Sequence, residues 1–297
     1  MFGHQYLYFL KHNLEARLLK RRRPLLAGFK ITNRCNLRCR VCPFWKMADD
    51  NVPYTLALGV MDKLYAGGVR LLILEGGEPL IWKDEDKVFE DLVREAKTRF
   101  FCTGVTTNGL LPLETSADTV WVSVDGLRDT HNYNRGNSFD RVMANIESSS
   151  HPKILANITI NRVNCKEIPE LIEFLDGRVK GITIQFYYPY EGTQDLWVER
   201  PERVWVLDEL MRLKGEGYAI LDSYITLEAL KENTWRCHSW LIANAEPDGS
   251  INYGCYLKNR ADISCAKCGF AAHTEISKAY DWNLQAIRAG SKIFGFR

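Results

Sequence analysis

The stretch "FKITNRCNLRCRVCPFW", residues 29–45, decides the reading of this chain. Cys35, Cys39 and Cys42 bring three thiols within eight residues, directly after an apolar run from Leu25 to Thr32 that reads as a strand. The thiols therefore sit on a loop at that strand's C-terminal end. Soft thiolates at this density select iron–sulfur clusters or zinc. The count of three is informative: a cubane cluster has four irons, so this loop can hold three corners and leave one open to a ligand. Such a site is reactive rather than closed.

Working outward, strand and helix signals alternate, which argues for parallel βα units. Strands are expected at Leu25–Thr32, Arg70–Glu75, Phe100–Thr107, Thr119–Asp125, Ile154–Asn161 and Gly181–Tyr188. Helices are expected near Thr55–Ala66, Asp84–Thr98, Ser138–Ser149, Ile168–Leu175 and Pro201–Gly215. Six parallel strands with outer helices fit an open barrel or a doubly wound sheet, and in both the functional loops gather at the strands' C-terminal ends. Residues 217–270 have a different texture, with four cysteines, a turn at Pro247-Asp248-Gly249, another near Gly254 and no long helical period. A closing helix is expected from Thr274 to about Ala289.

Composition bounds the possibilities. A chain of 297 residues with 46% hydrophobic and 26% charged content suits a globular domain with a sizeable core. A net charge of +2 argues against a nucleic-acid partner. No apolar run approaches the roughly 18 residues of a membrane span. The beginning is apolar first and basic afterwards, the reverse of a secretory signal, so a cytoplasmic location is expected. There the nine cysteines are metal ligands or core residues rather than disulfides. Residues 1–24 form an extension in which Tyr6, Phe9, Leu10, Leu14 and Leu18 recur at helical spacing before Lys20-Arg21-Arg22-Arg23-Pro24. Two readings stay open: a helix packed on the body, or a basic amphipathic segment, residues 1–23, peripheral to an anionic membrane.

Three further motifs stand at later strand ends: Gly76-Gly77-Glu78-Pro79, Thr106-Thr107-Asn108-Gly109 and Ser123-Val124-Asp125-Gly126. With the spacing of the first three cysteines, these ordered motifs resemble the radical S-adenosylmethionine (radical SAM) superfamily. The run "SVDGLRDTHNYNRGNSFDRVMANI" resembles the branch with SPASM or twitch extensions. The likeness extends over residues 25–270. It implies an α/β fold, a partial (β/α)6 TIM-type barrel over residues 25–216, with a small twitch-like iron–sulfur extension over 217–297. It also implies a [4Fe–4S] cluster on Cys35, Cys39 and Cys42, with SAM on the open iron. Reductive cleavage then yields a 5′-deoxyadenosyl radical that abstracts hydrogen, with a ferredoxin or flavodoxin as electron donor.

The resemblance assigns SAM contacts residue by residue. Gly76 and Gly77 are expected to let backbone approach the methionine end closely. Glu78 is expected to pair with its ammonium, Thr107 and Asn108 to reach the ribose or carboxylate, and Ser123 and Asp125 to line the same face. Arg135 matches an arginine that pairs with the SAM carboxylate, a task suited to its fork. Val41 departs from the pattern, which usually has an aromatic there against adenine; Phe44 or Trp45 is the substitute at hand.

Cys237, Cys255, Cys265 and Cys268, with 17, 9 and 2 residues between them, can close a tetrahedral zinc site or a cluster. Beside a radical SAM core they resemble a twitch-type ligand set for one auxiliary [4Fe–4S] cluster, in an electron-relay or structural role. Cys102, at a strand start, reads as core packing. Cys165 and Tyr187 are candidate catalytic residues at the mouth, as hydrogen donor and radical quencher; the inert alternatives are a core thiol and a barrel-capping aromatic. The substrate is expected to be a small molecule or lipid-linked. The competing functions are a peptide-modifying maturase and a non-catalytic iron–sulfur or zinc protein.

Overall fold

The first strand of the sheet is buried on both faces, as parallel sheets covered on both sides require. The structure, a computed structural model, describes residues 3–40, 42–48 and 50–296, so Val41 lies outside the described residues. In chain order it runs α1 (His4–Leu18), β1 (Leu26–Thr32), α2 (Tyr54–Gly67), β2 (Leu71–Gly76), β3 (Lys83–Asp84), β4 (Lys87–Val88), α3 (Phe89–Lys97), β5 (Cys102–Thr107), β6 (Thr119–Ser123) and α4 (Arg128–Arg135). It continues with α5 (Phe139–Ser148), β7 (Ile154–Ile160), α6 (Ile168–Leu175), β8 (Gly181–Phe186), α7 (Arg200–Glu216), α8 (Tyr224–Glu232), β9 (Ile242–Ala245), β10 (Ile251–Tyr253), α9 (Ala271–Tyr280) and α10 (Leu284–Phe294).

The sheet order is β10-β9-β1-β2-β5-β6-β7-β8, parallel except for β10 against β9. This is an α/β partial barrel with its functional loops at one end. The six expected strands all form. Helix α2 shows why the outer layer seats so regularly: Ala57, Val60, Met61 and Leu64 are buried at helical spacing, and Gly68 ends the helix at φ +111°. Inside the barrel, Gly104 makes room for an indole. A Cβ there would stand 2.4 Å from the Trp121 ring, so only glycine lets Trp121 fill the interior from the neighbouring strand.

Several expectations need correction. Residues 217–270 contain α8, capped by Ser223, whose hydroxyl accepts from Thr226 N. Cysteine spacing and turn residues obscured a helical period that buries Leu227 and Leu230. Strand β9 lies parallel beside β1, so the main sheet reaches into residues 217–297 and has eight strands rather than six. The closing helix is two helices, broken where Trp282 adopts φ +64° and Asn283 caps α10. The helix expected from Asp84 starts at Phe89, after the β3–β4 hairpin. The polar helix α4, which carries Arg135, lacked an apolar stripe to announce it.

Helix α1 divides its apolar residues between two faces. Tyr8 and Phe9 pack edge-on against Phe101, His12 donates to the Arg23 carbonyl at 2.9 Å, and Asn13 donates to the Tyr280 carbonyl at 2.8 Å. Leu7, Leu10, Leu14 and Leu18 are exposed; Leu7 and Leu10 also border the internal cavity beside Phe9, whereas Leu14 and Leu18 do not. Phe9 therefore does not share a face with Leu14 and Leu18. Among the described residues, no helix is long and apolar enough to cross a membrane.

Asp222 secures the far edge of the sheet by accepting from Ile184 N at 2.9 Å. Burial, and then the neighbouring Glu275, push its carboxyl up to about 7. Because the folded state holds this proton more tightly than the unfolded chain, its contribution is complete below the usual carboxylate range. That contribution is lost as pH rises through about 7. Thermal unfolding should therefore show stability falling between about pH 4 and pH 7, by at most about 4 kcal/mol from this group, and levelling above that. Asp222→Asn, which keeps the acceptor, should flatten that part of the profile; an unchanged slope would exclude the assignment.

Candidate active site at the strand ends

The loop after β1 is pinned to the loop after β2 by backbone contacts. Gly77 N donates to the Thr32 carbonyl at 2.7 Å and Glu78 N to the Arg34 carbonyl at 2.8 Å. A Cβ on Gly76 would lie 2.3 Å from the Thr32 oxygen, and one on Gly77 2.2 Å from the Arg34 oxygen. The two glycines are thus required by the chain's own crossing, a reason different from the ligand approach expected of them. The cysteine loop is further tied by the Trp45 indole, which donates to the Cys39 carbonyl at 3.0 Å.

One cavity of about 750 Å³ opens against this loop. Cys35, Cys39 and Cys42 border it, with Gly76 and Gly77 from the end of β2, Thr107 and Asn108 from β5, Ser123 from β6 and Arg135 from α4. Tyr187, beyond β8, borders it too, packs with Cys39 and shares a hydrogen bond with the Thr193 hydroxyl at 2.6 Å. Burial pushes the Cys39 thiol up to about 11, while the Arg135 guanidinium works in the opposite direction. Cys42 and Cys35 add to the upward push on Cys39. To hold an iron–sulfur cluster, all three would bind as thiolates, because metal binding deprotonates thiols.

Glu78 and Asp125 stand behind the wall of this cavity, not on it. Glu78 is fully enclosed and accepts from the Thr107 hydroxyl at 2.7 Å, Asn108 N at 2.7 Å and Leu80 N at 3.1 Å. Its carboxylate is occupied in shaping the β5 loop, so in this conformation it is not free to meet an ammonium. Asp125, also fully enclosed, accepts from Arg135 Nε at 2.5 Å and Thr159 N at 2.8 Å. Burial opposes the charge of Arg135, but the Asp125 carboxylate outweighs it and holds the guanidinium charged. Cys165 is buried, directs its thiol to the Glu202 carbonyl at 3.7 Å and does not border the cavity. That geometry makes it a core thiol, contrary to the hydrogen-donor expectation. Cys102 packs with Leu26 and Leu71, as a core cysteine should.

The second cysteine group also converges. Burial pushes the Cys237 thiol up to about 12, with Cys268, Cys255 and Cys265 adding to the effect. Buried Arg203 donates to the Cys268 carbonyl at 2.7 Å, and Asn233 donates to the carbonyls of Cys265 and Ala266. Tyr188 joins this loop to β8, donating to the Asp262 carbonyl and accepting from Ser264 N. Four thiols so placed fit a cation-containing group that binds them as thiolates. Among the described residues, no three His, Cys, Asp or Glu side chains already close on a single ion.

An ionic network near the cysteine loop escaped the sequence reading. Lys30 is buried, stands 3.7 Å from Glu75, donates to the Tyr256 hydroxyl at 3.2 Å and lies 4.0 Å from the Phe44 ring centre. Burial lowers its ammonium to about 8. Arg260 bridges Glu75 and Glu246. The available signal was a lysine inside an otherwise apolar strand and a glutamate directly before Gly76.

Removing one partner of a buried ion pair leaves the other charge without compensation. Asp125→Ala should therefore destabilise the fold by about 3–5 kcal/mol, and Asp125→Asn by less, in denaturant unfolding. Equal stability of wild type and Asp125→Ala would show that the pair does not hold Arg135.

Comparison with known proteins agrees with this geometry. The family model "Radical SAM superfamily" matches residues 29–175. The tungsten-containing aldehyde ferredoxin oxidoreductase cofactor-modifying protein of Pyrococcus furiosus is 29% identical over 179 residues, 49% of this chain and 46% of its own length. The sporulation killing factor maturation protein SkfB of Bacillus subtilis is 31% identical over 168 residues, 50% of this chain and 39% of its own. The chain thus spans less than half the length of these relatives. Streptococcus suis SuiB, solved bound to S-adenosylmethionine, superposes with a TM-score of 0.66 at 16% identity over 96% of this chain and 70% of that one, a likeness of fold. The superfamily implies a [4Fe–4S] cluster and SAM. With the ordered strand-end motifs, the partial barrel and the family match in agreement, the chain belongs to the radical SAM superfamily.

Proposed function

We propose that this enzyme reductively cleaves SAM and uses the resulting 5′-deoxyadenosyl radical to take hydrogen from a small-molecule or lipid-linked substrate. The observation that carries this reading is the single cavity shared by Cys35, Cys39, Cys42, the glycine crossing, Thr107, Ser123 and Arg135. When bound, a [4Fe–4S] cluster on the three thiols supplies the electron and an open coordination position for SAM. The chain's own part is binding and orientation. Arg135, held charged by Asp125, offers its remaining donors to a carboxylate. Thr107 and Asn108, positioned by Glu78, present polar groups beside Cys35, to whose thiol Asn108 Nδ2 lies at 3.8 Å. Phe44 supplies an aromatic ring at the cavity edge.

Cys237, Cys255, Cys265 and Cys268 are proposed to hold an auxiliary [4Fe–4S] cluster in a twitch-like extension, residues 217–297, whose strand β9 connects it to the core of residues 25–216. Tyr188 holds the auxiliary loop at Asp262 and Ser264, and Arg260 of that region joins Lys30 of β1 through Glu75, contacts that tie the extension to the core and support a structural or relay role. The donor to the first cluster is taken to be a ferredoxin or flavodoxin. Residues 1–23 are proposed to touch an anionic membrane surface through the outer leucines of α1 and the adjacent Lys20, Arg21 and Arg22.

Anaerobic reconstitution should yield about eight irons per chain, falling to about four in Cys237→Ala/Cys255→Ala, if each set holds a cubane. Dithionite reduction with SAM should release 5′-deoxyadenosine from wild type and none from Cys35→Ala. A zinc-only metal content without cleavage would defeat the enzyme reading. For the membrane contact, vesicles containing anionic phospholipid should sediment wild type and leave Leu7→Gln/Leu14→Gln/Leu18→Gln in the supernatant. These substitutions are preferable to deleting residues 1–23, because that deletion would uncover Phe101. Equal sedimentation of wild type and variant would exclude the leucine face.

A further inference from the structure

The cavity changes character with depth. Close to the cysteine loop its walls are polar, with Glu75, Ser123, Thr159 and Gln185 from four strands. Residues earlier on the strands make the opposite end largely apolar, with Leu26 of β1, Leu71 and Ile73 of β2 and Trp121 of β6; His12, Asn13 and Ser291 are its polar exceptions, and Ser291 accepts from the Tyr6 hydroxyl at 3.1 Å. The contrast follows from strand geometry. Alternate residues face the interior, so Leu71, Ile73 and Glu75 of β2 form a graded row from apolar to charged. A seven-residue strand such as β1 spans about 20 Å at its usual rise, so the gradient is long compared with a methylene group.

The apolar end reaches the surface. Leu7 and Leu10 of α1 border the cavity and are also 60% and 44% exposed. Across from them, Ile287, Gly290 and Phe294 of α10 line the same space. Gly290 has room beside it, because a Cβ built there meets no atom within 4 Å. The outer leucines Leu14 and Leu18 continue from this mouth along α1, with basic residues at the helix end. A small polar substrate leaves such a gradient without a purpose. An amphiphile uses both of its ends.

We infer that the lower half of the cavity is a channel for the hydrocarbon chain of an amphiphilic substrate, which passes between α1 and α10 with its reacting end toward Cys35, Cys39 and Cys42. The assignment of the reacting end rests on the radical chemistry proposed above; the chain-binding channel itself needs neither cluster nor SAM.

The test uses the full chain as isolated, titrated calorimetrically with octyl, decyl and dodecyl phosphate below their micelle concentrations. Transfer of each methylene from water to an apolar wall should tighten binding roughly four-fold, levelling off once the channel is filled. Gly290→Phe, which fills the open space at α10, should weaken dodecyl phosphate binding at least about ten-fold, and Gly290→Ala should change it little. Thermal unfolding of both variants establishes that they fold; if Gly290→Phe does not, Ile287→Phe serves as a second plug with the same expected loss. Chain-length-independent affinity, or equal binding by wild type and a folded plugged variant, would overturn the channel. Delivery from anionic vesicles supplies the second arm. Leu14→Gln/Leu18→Gln should slow uptake of a vesicle-borne chain without changing affinity for the monomeric amphiphile, and equal uptake would overturn a lipid surface as its source. SAM cleavage by reconstituted wild type is measured alongside. Chain binding without cleavage supports the channel and defeats the radical chemistry, whereas cleavage without chain-length dependence does the reverse.

Discussion

The contact on which the site depends is the close crossing of two backbones after β1 and β2. Gly76 and Gly77 pass so near Thr32, Asn33 and Arg34 that no Cβ fits at either position. Two backbone hydrogen bonds at the crossing extend the β1–β2 pairing beyond the strands themselves. The cysteine loop therefore leaves the sheet from a fixed point and in a fixed direction. Any side chain at Gly77 would push it away from Asn108 and Arg135, which close the same cavity.

Around this crossing, buried carboxylates work as braces. Glu78 orders the loop after β5, while Asp125 joins Arg135 on α4 to β7 through Thr159 N. Both cost desolvation, and both recover it through hydrogen bonds whose geometry is shared among several elements. The result is preorganisation: donors and thiols stand in place before any ligand arrives. Nearest the auxiliary cysteines, Arg203 and Tyr188 perform the same bracing for a loop with little regular structure of its own.

Much of the architecture was legible because its signals are local. The strands are short apolar runs, and the chemistry-bearing motifs follow β1, β2, β5 and β6 directly. Helix α6 coincides with its expected span because Ile168, Leu171, Ile172 and Leu175 mark one face. What stayed hidden depends on partners distant in sequence. Helix α4 has no apolar stripe, and β9 has only four residues, which become a strand by pairing with β1 more than two hundred positions earlier. The Lys30–Glu75–Arg260 network has the same origin, since none of its members announces the others.

The sequence by itself determined the chemistry: thiol count and spacing, glycines at strand ends, and a parallel βα order, all set by short-range covalent and conformational rules. The tertiary structure alone decided which polar residues face the cavity and which stand behind it. Glu78 and Asp125 moved from ligand contacts to braces, and Cys165 from the mouth to the core, because burial and hydrogen-bond partners are properties of packing. It also decided that the cavity runs from a polar to an apolar end. That gradient arises only when residues of seven neighbouring strands, β9 included, are brought around one space.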